Sequence, residues 1–253
     1  MHAMTATVVY IFPVCAPEYH DYALRFVDSY HAHPPGAAHD TLVVVNGGAA
    51  TAEVRCLFSS LPGLRFLERG NEGKDIGGFI AAAKTLSTDL MVCFGSHGYF
   101  WRAGWLKRMV EARQKHGPGL YGSSASFEVL PHLNTVGFWV DPKLLAAYPW
   151  PVVTDEDRYN FENQRTQDNR QFWKWVYRLG HAVLLVTWTG EYEWWNWRSP
   201  PEIFRRGGQT AMLAWWKQTD VWRDCSPRER ARFVSDTDIL RDRRFNIQQR
   251  TFS

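Results

Sequence analysis

The sequence has no closely spaced cysteine pair. Cys15, Cys56, Cys93 and Cys225 lie far apart, and the absence of any C-x-x-C argues against a structural zinc site and a disulfide framework. Cys93 falls within the apolar run "LMVCF", so the four are expected to be reduced core thiols of a cytoplasmic protein. No apolar run approaches the roughly 20 residues of a membrane span. The first run, "TVVYIF", has neither a basic segment before it nor a small-residue cleavage site after it, and reads as a buried strand rather than a leader. Gly73, Gly77 and Gly78 of the glycine-dense stretch 71–84 make neither the G-x-G-x-x-G nor the G-x-x-x-x-G-K-[ST] spacing, which removes the two commonest phosphate fingerprints there. RRM, KH and zinc-finger signatures are also missing, and nucleic acid is not an expected partner. Repeats and low-complexity tracts are absent.

What is present is an ordinary globular composition. The 253 residues are 45% hydrophobic and 22% charged, enough for one large core or two unequal domains. A formal charge of +3 hides an asymmetry. From Arg198 onward there are 12 Lys and Arg against 7 Asp and Glu, while the rest carries 17 against 19. The acids are interspersed in "RDCSPRERARFVSDTDILRDRR", which favours a solvated helical face; attraction to an anionic membrane surface is the competing reading.

Short apolar runs alternate with helical patterns through the first half. "TVVYIF", "TLVVVN", "LRFLE", "LMVCF" and "GLYGSS" are separated by helices expected over 17–30, 52–61, after Gly77, and over 103–115. That rhythm predicts an α/β fold with a mainly parallel central sheet covered by helices on both faces. Ligands of such sheets bind beyond the carboxyl ends of the strands, which selects residues 13–17, 46–48, 68–78 and 95–98, among them Pro13, Asn46, Ser96 and His97. Farther on, "HLNTVGFWVDPKLL" reads as a strand entering a short helix, "FENQRTQDNRQFWKWVYRLG" as one amphipathic helix stopped by Gly180, and "HAVLLVTW" as another strand. Pro200 and Pro201 mark a hinge into a helical, aromatic-rich extension.

One segment invites a chemical reading. "NEGKDIGGFIAAAK", residues 71–84, places Gly73, Gly77 and Gly78 ahead of an Ala-rich helix, a turn that brings free N–H groups and a helix N-terminus together. Asn71 and Asp75 are candidates for sugar or ribose hydroxyls and Lys74 for a phosphate. The plain alternative is a β–α turn with an N-cap aspartate.

With "LVVVNGG", "NEGKDIGGF", "MVCFGSHGYFWRAGWLKRMVEA" and "PHLNTVGFWVDPKLL" followed by "YNFENQ" in this order, the chain resembles GT-A glycosyltransferases. The likeness is to the family-2-like and rhamnan-synthesis-type enzymes of bacterial polysaccharide assembly. It covers about residues 5–192 and implies a GT-A-like domain over 1–192 with an extension over 193–253 packed on it. It further implies a nucleotide-diphosphate sugar donor and a glycan or lipid-linked glycan acceptor. The expected place is the cytoplasm, with possible peripheral contact at the inner membrane face. The donor set is then Pro13, Asn46, Asn71, Lys74, Asp75, Gly77, Gly78, Ser96 and His97, and the acceptor side His132, Asn134 and Thr135.

The sequence departs from the family at the turn after the fourth strand. GT-A enzymes usually carry Asp-x-Asp there to hold Mg²⁺ or Mn²⁺ on the diphosphate, and this chain reads "FGSHG". Ser96 and His97 offer no hard anionic oxygen. Donor binding without metal is the expectation, unless Asp75 or another carboxylate reaches an ion. Arg205 and Arg206 in "FRRGGQ" are candidates to cover the diphosphate instead. An inverting transfer needs a carboxylate base. Glu162, expected to open a helix after the acceptor-side strand, is the first candidate, with Asp157, Glu156 and Asp155 of the run "TDED" as the competing cluster and a plain helix N-terminal charge run as the alternative for that cluster. Seven tryptophans lie between Trp188 and Trp222, more often cement for a docked extension than a sugar platform. A non-catalytic nucleotide-sugar or glycan-binding module is the alternative function. A nucleotidyltransferase is disfavoured because "FPVCAPEYH" has no glycine-rich loop after the first strand.

Overall fold

Val, Ile, Phe and Leu dominate the first runs, and burial on both faces is what such continuous apolar strands require. In the computed structural model, which describes residues 4–126, 130–162, 170–200 and 208–230, strands β1 (Ala6–Pro13), β2 (Asp40–Asn46), β3 (Arg65–Arg69) and β4 (Leu90–Phe94) alternate with helices α1 (Glu18–Ala32), α2 (Ala52–Phe58), α3 (Lys74–Ala83) and α4 (Trp105–His116). Then come β5 (Gly119–Gly122), a two-residue pair β6 (Ala125–Ser126) and β7 (His132–Leu133), β8 (Gly137–Val140), α5 (Pro142–Ala146), α6 (Asp155–Glu162), α7 (Phe172–Arg178), β9 (Ala182–Val186), β10 (Glu191–Glu193) and α8 (Lys217–Asp224).

The main sheet has the order β10-β9-β5-β8-β4-β1-β2-β3. It is parallel from β4 through β3 and between β5 and β9, while β8 lies antiparallel between β4 and β5 and β10 runs antiparallel to β9. The expected α/β fold with a mainly parallel sheet flanked by helices is therefore observed. Side chains alternate between two apolar layers. Val9, Ile11, Val44 and Met91 meet Phe79 of α3 and Val176 of α7; Val8, Tyr10, Phe12 and Val43 meet Phe26 of α1, Phe58 of α2 and Trp105 of α4. Each fully buried side chain of this kind stabilises by about 1.5–3 kcal/mol.

Several expectations need correction. The helix in the glycine segment begins at Lys74, so Gly77 and Gly78 lie inside it and only Gly73 precedes it. Helix capping explains this: Gly73 sits in the left-handed region at φ 66°, whereas Asp75 is already in the first turn and is not the N-cap. The expected helix from Phe161 to Gly180 is broken at Arg170 and Gln171, ahead of α7, while 163–169 lie outside the described residues. Gly180, at φ 81°, does follow the end of α7. Of the cysteines only Cys93 is a core residue; Cys15 and Cys56 are exposed and Cys225 is half-buried. Among the described residues no helix is long and apolar enough to cross a membrane.

The segment beyond residue 192 is held by aromatic contacts. Trp197, Trp216 and Trp222 are buried, Trp215 stacks on Trp101 at 4.8 Å, and Trp101 Nε1 donates to the Met212 carbonyl at 2.7 Å. Trp195 differs, with 53% of its surface exposed.

Candidate functional site

The strand order changes direction between β1 and β4, and crevices at such switch points open beyond the carboxyl ends of the strands. Here Pro13 to Ala16 leave β1, and Ser96 and His97 leave β4. Tyr10, buried in β1, donates its hydroxyl to the Ser96 carbonyl at 2.7 Å and so ties the two strand ends together. The Ser96 hydroxyl lies 3.3 Å from His97 Nδ1. Tyr19 and Tyr22, three apart on the first turns of α1 and thus on one helix face, pack their rings against the His97 imidazole at 5.6 and 4.4 Å.

The opposite wall is the start of α3. Asn46, buried at the end of β2, donates from Nδ2 to the Lys74 carbonyl at 2.9 Å and accepts from Arg69 Nη1 at 2.9 Å. Arg69 Nη2 reaches the Glu72 carbonyl at 2.6 Å. Asn46 therefore acts as a clamp on the 70–74 turn, with both ends of its amide engaged by protein. Glycine is required at 73 by its positive φ and by space, since a Cβ there would lie 2.2 Å from the Val152 carbonyl oxygen. Gly77 and Gly78 admit protein rather than ligand: added Cβ atoms would meet the Glu72 carbonyl oxygen at 2.2 Å and Ile11 Cδ1 at 2.8 Å. Asn71 is exposed beside Gly47, and its carbonyl accepts the Lys74 N–H at 3.0 Å.

Asp75 is half-buried in the first turn of α3. Its Oδ1 accepts from Arg158 Nε at 2.9 Å and Nη2 at 2.7 Å, and from the Ile76 N–H at 3.0 Å. Among the described residues Oδ2 has no hydrogen-bond partner, which leaves one carboxylate oxygen for a ligand hydroxyl. Burial is the largest influence on His97 and lowers its pKa from 6.5. The Lys217 charge lowers it further, against smaller raising effects of Asp75 and Glu18. Asp75 also acts on Tyr19, so the two walls lie within electrostatic reach of each other. Lys74 is paired with Asp155 at 2.8 Å, and Asp155 also pairs with Arg158 at 3.1 Å.

Glu162, at the end of α6 and not at a helix start, is held by Thr135. Oε1 accepts from the Thr135 hydroxyl at 2.9 Å and its N–H at 3.2 Å. A cavity of about 20 Å³ opens beside Glu162 and Thr135, walled by Phe138, Phe161, Phe172 and Trp173, room for about one water. Thr135 precedes Val136, whose backbone packs on Gly95 and Gly98 of the β4 turn, so Glu162 is linked to the crevice through two contacts. Asp157 has a different task. It accepts from the N–H of Thr154 at 2.9 Å while its own N–H donates back to Thr154 Oγ1 at 3.2 Å, a capping box that starts α6. His132 is buried with Nδ1 at 2.8 Å from the Leu130 carbonyl, and Asn134 Nδ2 donates to Ser124 Oγ at 2.9 Å. Both fasten the β6 and β7 pair. Arg205 and Arg206 lie outside the described residues.

Sequence reasoning missed Tyr19, Tyr22, Arg158 and Lys217. The tyrosines were detectable from their i, i+3 spacing just after β1. Arg158 was overlooked inside an acidic run, and nothing local pointed to Lys217. The β4 turn offers a hydroxyl and an imidazole and no carboxylate, and Asp75 of α3 has Oδ1 held by Arg158. Among the described residues no group of three His, Cys, Asp or Glu side chains is placed to hold an ion.

No protein-family model matches the sequence, and no curated protein matches it. Among solved structures, S. aureus TarS is similar at TM-score 0.46 and 13% identity, over 61% of this chain and 32% of that one. Residues 1–349 of TarS in complex with UDP-GlcNAc give 0.45 and 11%, over 69% and 53%. Mouse xyloside xylosyltransferase 1 gives 0.43 and 10%, over 68% and 80%. The chain thus spans about a third of the length of TarS. All of these likenesses are distant, and the reading of the site rests on its own geometry.

Proposed function

We propose that the protein is a glycosyltransferase that moves a sugar from a nucleotide-diphosphate donor to a glycan hydroxyl, with inversion, in the assembly of a cell-surface polysaccharide. The observation that carries the reading is the gathering of Asp75, Tyr19, Tyr22 and His97 at the strand-order switch. One wall presents a carboxylate with a free oxygen, Asp75 Oδ2, and the other presents two tyrosine rings and an imidazole. Hydrogen-bond acceptors suit sugar hydroxyls, and aromatic faces suit a base or a sugar ring. The resemblance of "NEGKDIGGF" and its neighbours to GT-A blocks supports the same reading.

In the proposed step the acceptor oxygen attacks the anomeric carbon and its proton passes to the Glu162 carboxylate. The bond from that carbon to the diphosphate oxygen breaks, and the nucleoside diphosphate leaves with the electron pair. Thr135 orients Glu162 through two hydrogen bonds. Asp75, fixed by Arg158, holds the donor sugar. Donor binding proceeds without a divalent metal, in keeping with the side chains of the β4 turn. Peripheral attachment to an anionic membrane surface, through the basic residues beyond Arg198, belongs to the same proposal.

The test is calorimetry against UDP, GDP, dTDP and CMP sugars, each with EDTA and with Mn²⁺, followed by turnover of the donor that binds. Binding in EDTA and loss of turnover in Glu162→Gln are the expected results. Binding only with Mn²⁺ would refute metal independence. Binding without any turnover would favour the non-catalytic module, to which the carboxylate-free β4 turn lends weight.

A further inference from the structure

We infer that Lys217, from the segment beyond residue 192, forms with His97 the seat for the donor's diphosphate. The inference rests on the glycosyltransferase reading and assigns which groups carry the charge of the leaving group. The placement follows from backbone pairing. Tyr99 and Trp215 form an antiparallel bridge, with N–H to carbonyl distances of 2.9 and 3.0 Å in the two directions. His97 lies in the 95–98 turn just before Tyr99 and Lys217 opens α8 just after Trp215, so the bridge brings that turn and the start of the helix together.

Side chains hold this register. Asp220 of α8 accepts from the Tyr99 hydroxyl at 2.5 Å and from Arg25 Nη2 at 2.7 Å. The Arg25 guanidinium lies over the Tyr99 ring at 3.4 Å from its centroid. An open groove of about 450 Å³ is lined by Tyr22, Arg25 and Lys217 with the carboxylates Asp220, Asp224 and Glu229, and Tyr22 is the residue whose ring packs on His97. The neighbouring cations are neutralised: Arg25 by Asp220, Lys74 by Asp155, Arg158 by Asp75. Lys217, in contrast, is exposed and has no ion-pair partner among the described residues.

The groups facing His97 are Tyr19, Tyr22 and Glu18 of α1, Asp75 of α3 and Lys217 of α8. Burial and Lys217 keep the imidazole neutral at neutral pH, with an N–H available for a phosphate oxygen. As the anomeric bond breaks, negative charge grows on the diphosphate, and an unpaired ammonium stabilises it as a metal ion would. A bound diphosphate offsets the Lys217 charge, so it raises the pKa of His97.

The experiment is calorimetry in EDTA with UDP, GDP, CDP and dTDP and with the corresponding nucleosides, on wild type, Lys217→Gln and Lys217→Arg. Expected is a loss of about 10–100-fold in diphosphate affinity for Lys217→Gln, recovery in Lys217→Arg, and unchanged nucleoside affinity. NMR titration of the His97 imidazole gives a second reading, with a pKa raised in Lys217→Gln and raised in wild type by the bound diphosphate. Unchanged diphosphate affinity in Lys217→Gln overturns this inference and leaves the glycosyltransferase reading standing. Equal loss of nucleoside and diphosphate, or a His97 titration indifferent to both changes, also overturns it. Wild type that binds neither diphosphate nor nucleoside overturns both.

Discussion

Glu191 offers the sharpest energetic test of how the edge of the sheet is secured. Its carboxylate, in β10 and 11% exposed, accepts from Arg108 Nη1 at 2.7 Å, Lys115 Nζ at 2.7 Å and His116 Nε2 at 2.6 Å, all from α4. Burial pushes its pKa up, but the hydrogen bonds from His116, Lys115 and Arg108 together outweigh that effect and bring it from 4.5 to about 2. A fall of this size corresponds to roughly 3 kcal/mol, which we discount to about 2 kcal/mol because Lys115 is largely exposed and screened. The folded value lies below the unfolded one, so this stability is fully present above about pH 5 and is lost as pH falls towards about 2. Glu191→Gln removes the titration. Urea unfolding of wild type and variant should therefore differ by about 2 kcal/mol near pH 6 and converge near pH 2. A difference that stays constant over that range, or is absent near pH 6, would refute the electrostatic account of this clamp.

Other outcomes follow from the site. Gly73→Ala meets the Val152 carbonyl oxygen at 2.2 Å from a positive φ; it should cost about 2–4 kcal/mol, read as a lower urea midpoint. Asp157→Ala should lower stability by about 1 kcal/mol through the lost capping box while turnover stays near wild type. Glu162→Gln should keep donor affinity and reduce turnover by about 10²–10⁴-fold; equal loss of both in calorimetry and rate assays would argue against a base. Asp75→Ala should weaken donor binding about 10–100-fold, and unchanged affinity would remove Asp75 from the donor site.

The glycine segment shows how far local pattern reaches. Its position on the ligand rim was legible, because a strand followed by a glycine and a helix places that turn at the carboxyl edge. Its internal logic was not. Gly77 and Gly78 answer to a carbonyl at Glu72 and a methyl on Ile11, neighbours whose approach depends on how α3 lies on β1. Asn46 looked like a ligand contact from its place at a strand end, yet Arg69 and the Lys74 carbonyl occupy it. Glu162 stood first and Asp157 second as acids of one short run by chain order alone; the direction of each carboxylate, one back onto Thr154 and one across to Thr135, is a tertiary fact.

By itself the sequence determined the alternation of strands and helices, the buried faces, and the residues at the ends of β1, β2 and β4, because hydrophobic period and chain order are local properties. Tertiary structure alone decided that β8 enters antiparallel between β4 and β5, that Arg158 engages one oxygen of Asp75, and that Trp215 returns across more than a hundred residues to bridge with Tyr99. Those pairings depend on long-range closure of the chain, for which no periodicity in the sequence provides a signal.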